Sequence, residues 1–455
     1  MSRSGWLLVV LLLLFLARAW LYAGVLPFNG MPDELEHMAQ VRVAQYWPQI
    51  ERGETEAGVV AAEVRARWAE VSGEGPKLQA PAWRSPERRS LYYRALGAWL
   101  RLLKVHDPLM AWDLCRLISI LMGLGVLVFT WLTARTLFPR EPAVPVLAAG
   151  LVALLPQFAA VAATVNQDNL ASLYTAAFFW LAARTTVLGL DKKRAVAGVV
   201  MILIMPGLKK TTYFILAAMI LAGVIHALRR VSGRAYAWAV YLLTTAGLAL
   251  AAYLLLFVPA VANRIVPLIG LPLYRTWEAG FDPALFHQPG IREALAQNIR
   301  LADPVFWLHL KSLVLLFFKS FFAYFGYLQA PIGWGWYAGA GIICLMGLAG
   351  WLRRGRFPLA PAQRQALAFL GLSAAMALVF IFFRQVVFFP GSLAQGRHLF
   401  PALIPLSLLW AVGFRAFWPA RLLPWAAAGA LGFFWVMDAS ALWQGAVPWF
   451  YRLHF

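Results

Sequence analysis

The chain has 455 residues, of which 62% are hydrophobic and only 13% charged, with a mean hydropathy of +0.68. Soluble domains carry about 25% charged residues, so this composition excludes a soluble globular protein and describes a chain that crosses a membrane many times. The formal net charge is +20. The basic residues mostly punctuate gaps between apolar runs, however, as positive-inside topology and anionic headgroups require, which argues against nucleic acid as a partner.

In chain order, apolar runs predict spans near 6–26, 110–137, 143–163, 170–188, 196–208, 213–228, 237–262, 334–352, 366–384, 398–416 and 422–442. The first is long enough to cross a bilayer and is followed by many like it, so it reads as an uncleaved helix and not a signal peptide. The run 196–208 is shorter than the ~17 residues a span needs and reads as tilted, broken or extended by its flanks. Cys115 and Cys344 lie inside apolar runs, against a disulfide framework. The expected fold is an all-α polytopic membrane protein of about 11 transmembrane helices (about 10–13), one domain over 1–455, with juxtamembrane helices.

Loop charges set the orientation. With the N-terminus inside, five alternate loops fall in the cytoplasm: Arg135 with Arg140, Lys192-Lys193-Arg194, Arg229-Arg230 with Arg234, Arg353-Arg354 with Arg356, and Arg415 with Arg421. The outer side receives 27–109, 164–169, 209–212, 263–333, 385–397 and the C-terminus, provided 306–332 is interfacial or re-entrant. The outer loop 27–109 holds 11 of the 20 acidic residues. Its end is predicted to be an amphipathic helix over Leu91 to Lys104, with Leu91, Ala95, Leu96, Trp99, Leu102 and Leu103 on one face. Its middle, 53–86, reads as a short helix between loops. The other long outer region, 263–333, is turn-rich over 263–305, with Pro267, Pro272, Pro283 and Pro289.

Three outer groups could carry chemistry. In Met31-Pro32-Asp33-Glu34-Leu35-Glu36-His37, Pro32 suits the first helical position, which puts Asp33 and Glu34 in the first turn. Helical spacing puts Asp33, Glu36 and His37 on one face and Glu34 about a quarter-turn away. First-turn carboxylates also complement a helix dipole, and Asp33, Glu36 and His37 are half of a metal site without an evident second half. The turn Asn166-Gln167-Asp168-Asn169 fits a helix cap at Asp168 or Asn169, or hydrogen bonding to a polar ligand. Outer cations at Lys209-Lys210, Arg384 and Arg397-His398 fit snorkelling to headgroups, or a lipid phosphate gripped by an arginine fork and lysine point charges.

These pieces, in this order, resemble the GT-C superfamily of membrane glycosyltransferases, in particular its poorly characterised bacterial members. The matching motifs are Pro32-Asp33-Glu34 with His37, Leu91-Tyr92-Tyr93, Asn166 with Asp168, and Gln395-Gly396-Arg397 opening a late span. The chain departs from the pattern at Arg88-Arg89-Ser90, where such proteins often carry His-Pro-Pro. The resemblance implies a GT-C-like fold in a bacterial plasma membrane, a polyprenyl-phosphate-linked sugar as donor, and a glycan, lipid or protein as acceptor. It implies Asp33 as general base with Glu34 as its rival, and substrate contacts from His37, Tyr92, Tyr93, Asn166, Asp168, Lys209, Lys210, Arg397 and His398. The sequence assigns no cofactor, and a divalent cation stays an open option. The competing readings are a transporter or lipid flippase, an O-antigen polymerase or ligase-like enzyme, and a non-catalytic scaffold.

Overall fold

The computed structural model describes residues 3–72, 90–231, 304–326, 328–353, 357–383 and 395–451. The expected span 237–262, Arg384, Arg88-Arg89, the stretch 73–86 and most of the loop 263–333 lie outside these residues. The described chain is almost wholly helical. It runs α1 (Arg3–Val25), α2 (Glu34–Gln45), α3 (Trp47–Glu51), α4 (Ala57–Ser72), α5 (Leu91–Leu102), α6 (Pro108–Leu137), α7 (Ala143–Leu154), α8 (Pro156–Ala162), α9 (Gln167–Leu188), α10 (Lys192–Ile204) and α11 (Phe214–Val231). After α12 (Pro304–Phe322), strands β1 (Tyr324–Phe325) and β2 (Ala330–Pro331) form a small antiparallel hairpin. Then come α13 (Trp334–Leu352), α14 (Pro361–Phe383), a 3-10 helix over Gly396–Ala402, α15 (Leu403–Phe417), α16 (Leu423–Ser440) and, after a π turn, α17 (Val447–Tyr451).

Among the described residues, six segments are long and apolar enough to cross a membrane: Gly5–Val25, Pro108–Leu137, Trp334–Leu352, Pro361–Ile381, Gly396–Phe417 and Leu423–Tyr451. The pair α7 and α8, bent by 63° where Pro156 denies the chain a backbone donor, makes a seventh if it is one broken span. Most of the expected spans thus exist as helices, and among the described residues six or seven of the roughly 11 expected meet this criterion. The helices α9, α10 and α12 stand on 170–188, 196–208 and 306–332 without meeting the same test.

The chain divides into two compact units. One comprises Phe214–Leu316 and Ala375–Ala394, and its described part is α11 with portions of α12 and α14. The other comprises Met1–Tyr213, Phe317–Ala374 and Gln395–Phe455 and contains every residue discussed below. In it α6 packs along α9 and α7, α1 lies against α6, α7 and α8, and α15 packs on α7 and α13. The juxtamembrane α2 is flanked by α4 and α5. At Gly97 the α5 backbone meets Ala44 and Gln45 of α2 so closely that a Cβ would lie 2.6 Å from the Gln45 nitrogen.

The buried face of α5 differs from expectation. Tyr92, Tyr93, Leu96, Gly97 and Leu100 turn inward, while Ala95, Leu102 and Leu103 are exposed. The tyrosine hydroxyls have polar partners inside the protein, and leucines near a bilayer need none.

Candidate functional site

The site begins with the loop that leaves α1. The helix α2 starts at Glu34, later than Pro32 suggested, and Asp33 sits just before it in the left-handed region, with φ 69°. A non-glycine residue is uncommon there, and Asp is among the few that tolerate it. This conformation separates the two adjacent carboxylates. Helical spacing alone sets them only about a quarter-turn apart.

Glu34 points inward and is buried. Its Oε1 accepts from Trp112 Nε1 at 3.0 Å, Arg116 Nε at 2.8 Å and the Val165 amide at 3.1 Å. Its Oε2 accepts from Arg116 Nη2 at 2.8 Å and the Asn29 amide at 3.0 Å. Arg116 spends its other donors on the carbonyls of Ala23, Leu26 and Pro27. Glu34 is thereby a staple joining the end of α1, the α6 span and the turn before α9, with no side reachable by a ligand.

Asp33 points the other way. Its side chain is 59% exposed, and its Oδ2 accepts from Arg397 Nη2 at 2.6 Å. Arg397 is 3% exposed and also donates Nη1 to the Pro32 carbonyl at 2.9 Å. Its Nε stands 4.0 Å from Asp168 Oδ2, and both buried atoms lack a direct hydrogen bond. Asp168, 0% exposed, accepts from Lys209 Nζ at 2.6 Å. Two carboxylates and two cations therefore form a chain, Asp33–Arg397–Asp168–Lys209, of which Asp33 is the exposed end.

Local structure positions each member. Asn166 caps α9 by accepting from the Asp168 amide at 2.9 Å, a cap two residues earlier than Asp168 and three earlier than Asn169. Tyr92 ties this turn down: its hydroxyl accepts from the Asn166 amide at 3.0 Å and bonds Ser119 on α6. Lys209 follows the 3-10 turn that ends α10, and Lys210 opens the next turn. Arg397 arrives on a 3-10 helix that presses on α12, where a Cβ on Gly396 would lie 2.2 Å from the Phe321 nitrogen. The Gly396 amide donates to Ser320 Oγ at 2.8 Å. Beside Arg397, His398 is half-buried.

His37, one turn into α2, is buried with Nδ1 2.6 Å from the Tyr93 hydroxyl. Burial pushes its pKa down to about 4 against the opposing pull of Asp33, so the imidazole is neutral near pH 7. Partial desolvation pushes the Asp33 carboxyl up, but the charge and hydrogen bond of Arg397, with the charge of Lys209, outweigh it and hold the group below its ordinary value. Glu36, predicted on the same face, pairs instead with Arg65 at 3.5 Å.

The structure thus brings Asp33, His37, Tyr93, Asn166, Asp168, Lys209 and Arg397 together and separates Glu34 from them. Arg116 and Trp112 were missed. The available signal was Arg116 inside the apolar run 110–137, away from the cytoplasmic end that holds Arg135, since an ionisable residue inside a span demands a partner. A second buried group lies within the spans: Arg18 on α1 bonds Asp438 on α16 and the Ala153 carbonyl, and Tyr22 donates to Asp438 at 3.0 Å. Among the described residues no three His, Cys, Asp or Glu side chains gather closely enough to hold a metal ion. Comparison with protein-family models and with curated proteins finds no match.

Proposed function

We propose that this chain is a membrane glycosyltransferase that moves a sugar from a polyprenyl-phosphate donor to an acceptor hydroxyl on the extracytoplasmic face of a bacterial plasma membrane. The observation that carries this reading is the exposed Asp33 carboxylate bonded to the buried Arg397 fork, with the Lys209–Asp168 pair beside it, in a chain rich in membrane-spanning helices. Transfer from a lipid phosphate needs cations where leaving-group charge grows and a carboxylate that can take the acceptor proton. Nucleotide sugars are not expected outside the cytoplasm, whereas a lipid donor reaches such a site through the bilayer.

In this mechanism Asp33 accepts the acceptor's hydroxyl proton as that oxygen forms a bond to the anomeric carbon. The anomeric carbon–phosphate oxygen bond breaks, and its electron pair leaves with polyprenyl phosphate. Arg397 and Lys209 offset the growing charge. Asp168 is enclosed by cations, which favours a role in positioning them over direct contact with sugar. Tyr93, His37 and Asn166 shape the surrounding wall. The burial and full pairing of Glu34 favour Asp33 as the base.

The test is transfer by purified protein in nanodiscs, offered a panel of polyprenyl-phosphate-linked sugars and read as release of polyprenyl phosphate with sugar appearing on the acceptor. Asp33→Asn is expected to lower transfer by at least about 100-fold, the scale of a lost general base, with membrane insertion intact. Full activity in this variant would remove Asp33 as the base.

A second reading, a flippase or transporter, draws on the Arg18–Asp438 pair, because charges within spans often mark substrate paths. That pair is closed on itself and on Tyr22 and Ala153, which suits a clasp between α1 and α16. Lipid flipping in proteoliposomes without sugar transfer would favour the second reading.

A further inference from the structure

We infer that the anion site is closed by its own carboxylate: Asp33 occupies Arg397, and a lipid phosphate enters by drawing Arg397 away from it. The inference rests on the polyprenyl-phosphate reading of the site.

Arg397 is enclosed by the protein. Nη2 is on Asp33, Nη1 is on the Pro32 carbonyl, and Nε faces Asp168, leaving the side chain 3% exposed. Asp33, at 59%, is the group an incoming ligand meets first, and it repels an anion. A bidentate grip on phosphate needs two guanidinium N–H groups on one side. Nη2, bonded to the one exposed partner, is freed for such a grip when Arg397 gives up Asp33. The released guanidinium has a second support within reach, because Nε and Asp168 Oδ2 already face each other at 4.0 Å without a hydrogen bond. Lys209 stays on Asp168 throughout, so the buried carboxylate keeps a counter-charge in either arrangement.

The exchange couples binding to chemistry. With Arg397 on Asp33 the carboxylate is a weak base. Once phosphate takes Arg397, that restraint is lifted and Asp33 gains proton affinity while a donor is present. An empty site therefore holds its base inactive.

The experiment is calorimetric titration of the full-length protein in nanodiscs with farnesyl phosphate. Asn tolerates the left-handed region as Asp does, so Asp33→Asn preserves the turn, and an unchanged Tm verifies this. Asp33→Gly supplies a second variant with the same release. Both are expected to bind farnesyl phosphate about three- to tenfold more tightly than the native chain, roughly the scale of one lost competing ion pair. Glu36→Gln removes a nearby charge that does not touch Arg397 and is expected to change affinity by less than about twofold. Unchanged or weaker binding in the Asp33 variants would overturn the exchange, as would equal tightening in Glu36→Gln, which would mean general electrostatics. Equal affinity for inorganic phosphate would overturn the lipid assignment. A native chain that binds no farnesyl phosphate would remove the donor reading itself and this inference with it.

Discussion

Removing one partner of a buried ion pair strands a charge that neither water nor protein satisfies, typically costing 3–5 kcal/mol. Glu34 is in that position, with five hydrogen bonds converging on its carboxylate. Glu34→Ala is expected to destabilise the protein by about this amount, seen as a large fall in Tm and in membrane yield, whereas Asp33→Asn loses transfer with Tm nearly unchanged. Equal stability of the two variants would show that the staple contributes little. His37 gives a pH signature. Its pKa is about 4 in the folded chain against 6.5 in the unfolded one, so between these values the unfolded chain binds the extra proton. Stability therefore falls as pH drops from 6.5 towards 4, by on the order of 3 kcal/mol from this group alone. Thermal melts of the native chain and His37→Gln at pH 7 and pH 4.5 are expected to show the larger acid loss in the native chain; equal losses would mean that His37 does not stay neutral.

At the scale of elements, the legibility of this chain follows from its solvent. Where lipid surrounds the protein, hydrophobicity marks which segments are helices but not which face meets protein and which meets lipid. The spans Gly5–Val25, Pro108–Leu137 and Trp334–Leu352 were legible for this reason, and the inward face of α5 was not. Polar groups carry the missing information: Tyr92, Tyr93 and Arg116 each turn towards a partner in the protein. The left-handed Asp33 was illegible because a proline followed by carboxylates equally describes an ordinary helix start. Close approaches add a further constraint. The contact between Gly396 and α12 leaves no room for a methyl group, so Gly396→Ala is expected to cost about 1–3 kcal/mol and to weaken farnesyl phosphate binding by shifting Arg397. Gly335, on α13 with open space around it, is the control, and Gly335→Ala is expected to be neutral or slightly stabilising. Equal effects at both positions would show that the Gly396 contact does not seat Arg397.

At the scale of the whole molecule, the loops that charge parity assigns to one side of the membrane supply the members of one cluster: Asp33 and His37 from the first, Asp168 from the second, Lys209 from the third and Arg397 from the last. Residues 364 positions apart in the chain, Asp33 and Arg397, meet in a hydrogen bond. That closure turns an acidic motif and a late arginine into one candidate centre with a negative exposed end and a positive buried wall. The most direct test is a structure of the full chain in nanodiscs with farnesyl phosphate bound. The exchange predicts the phosphorus centre beside Arg397 and Lys209, with the Arg397–Asp33 hydrogen bond broken. A phosphate bound elsewhere, with Arg397 still on Asp33, would contradict it.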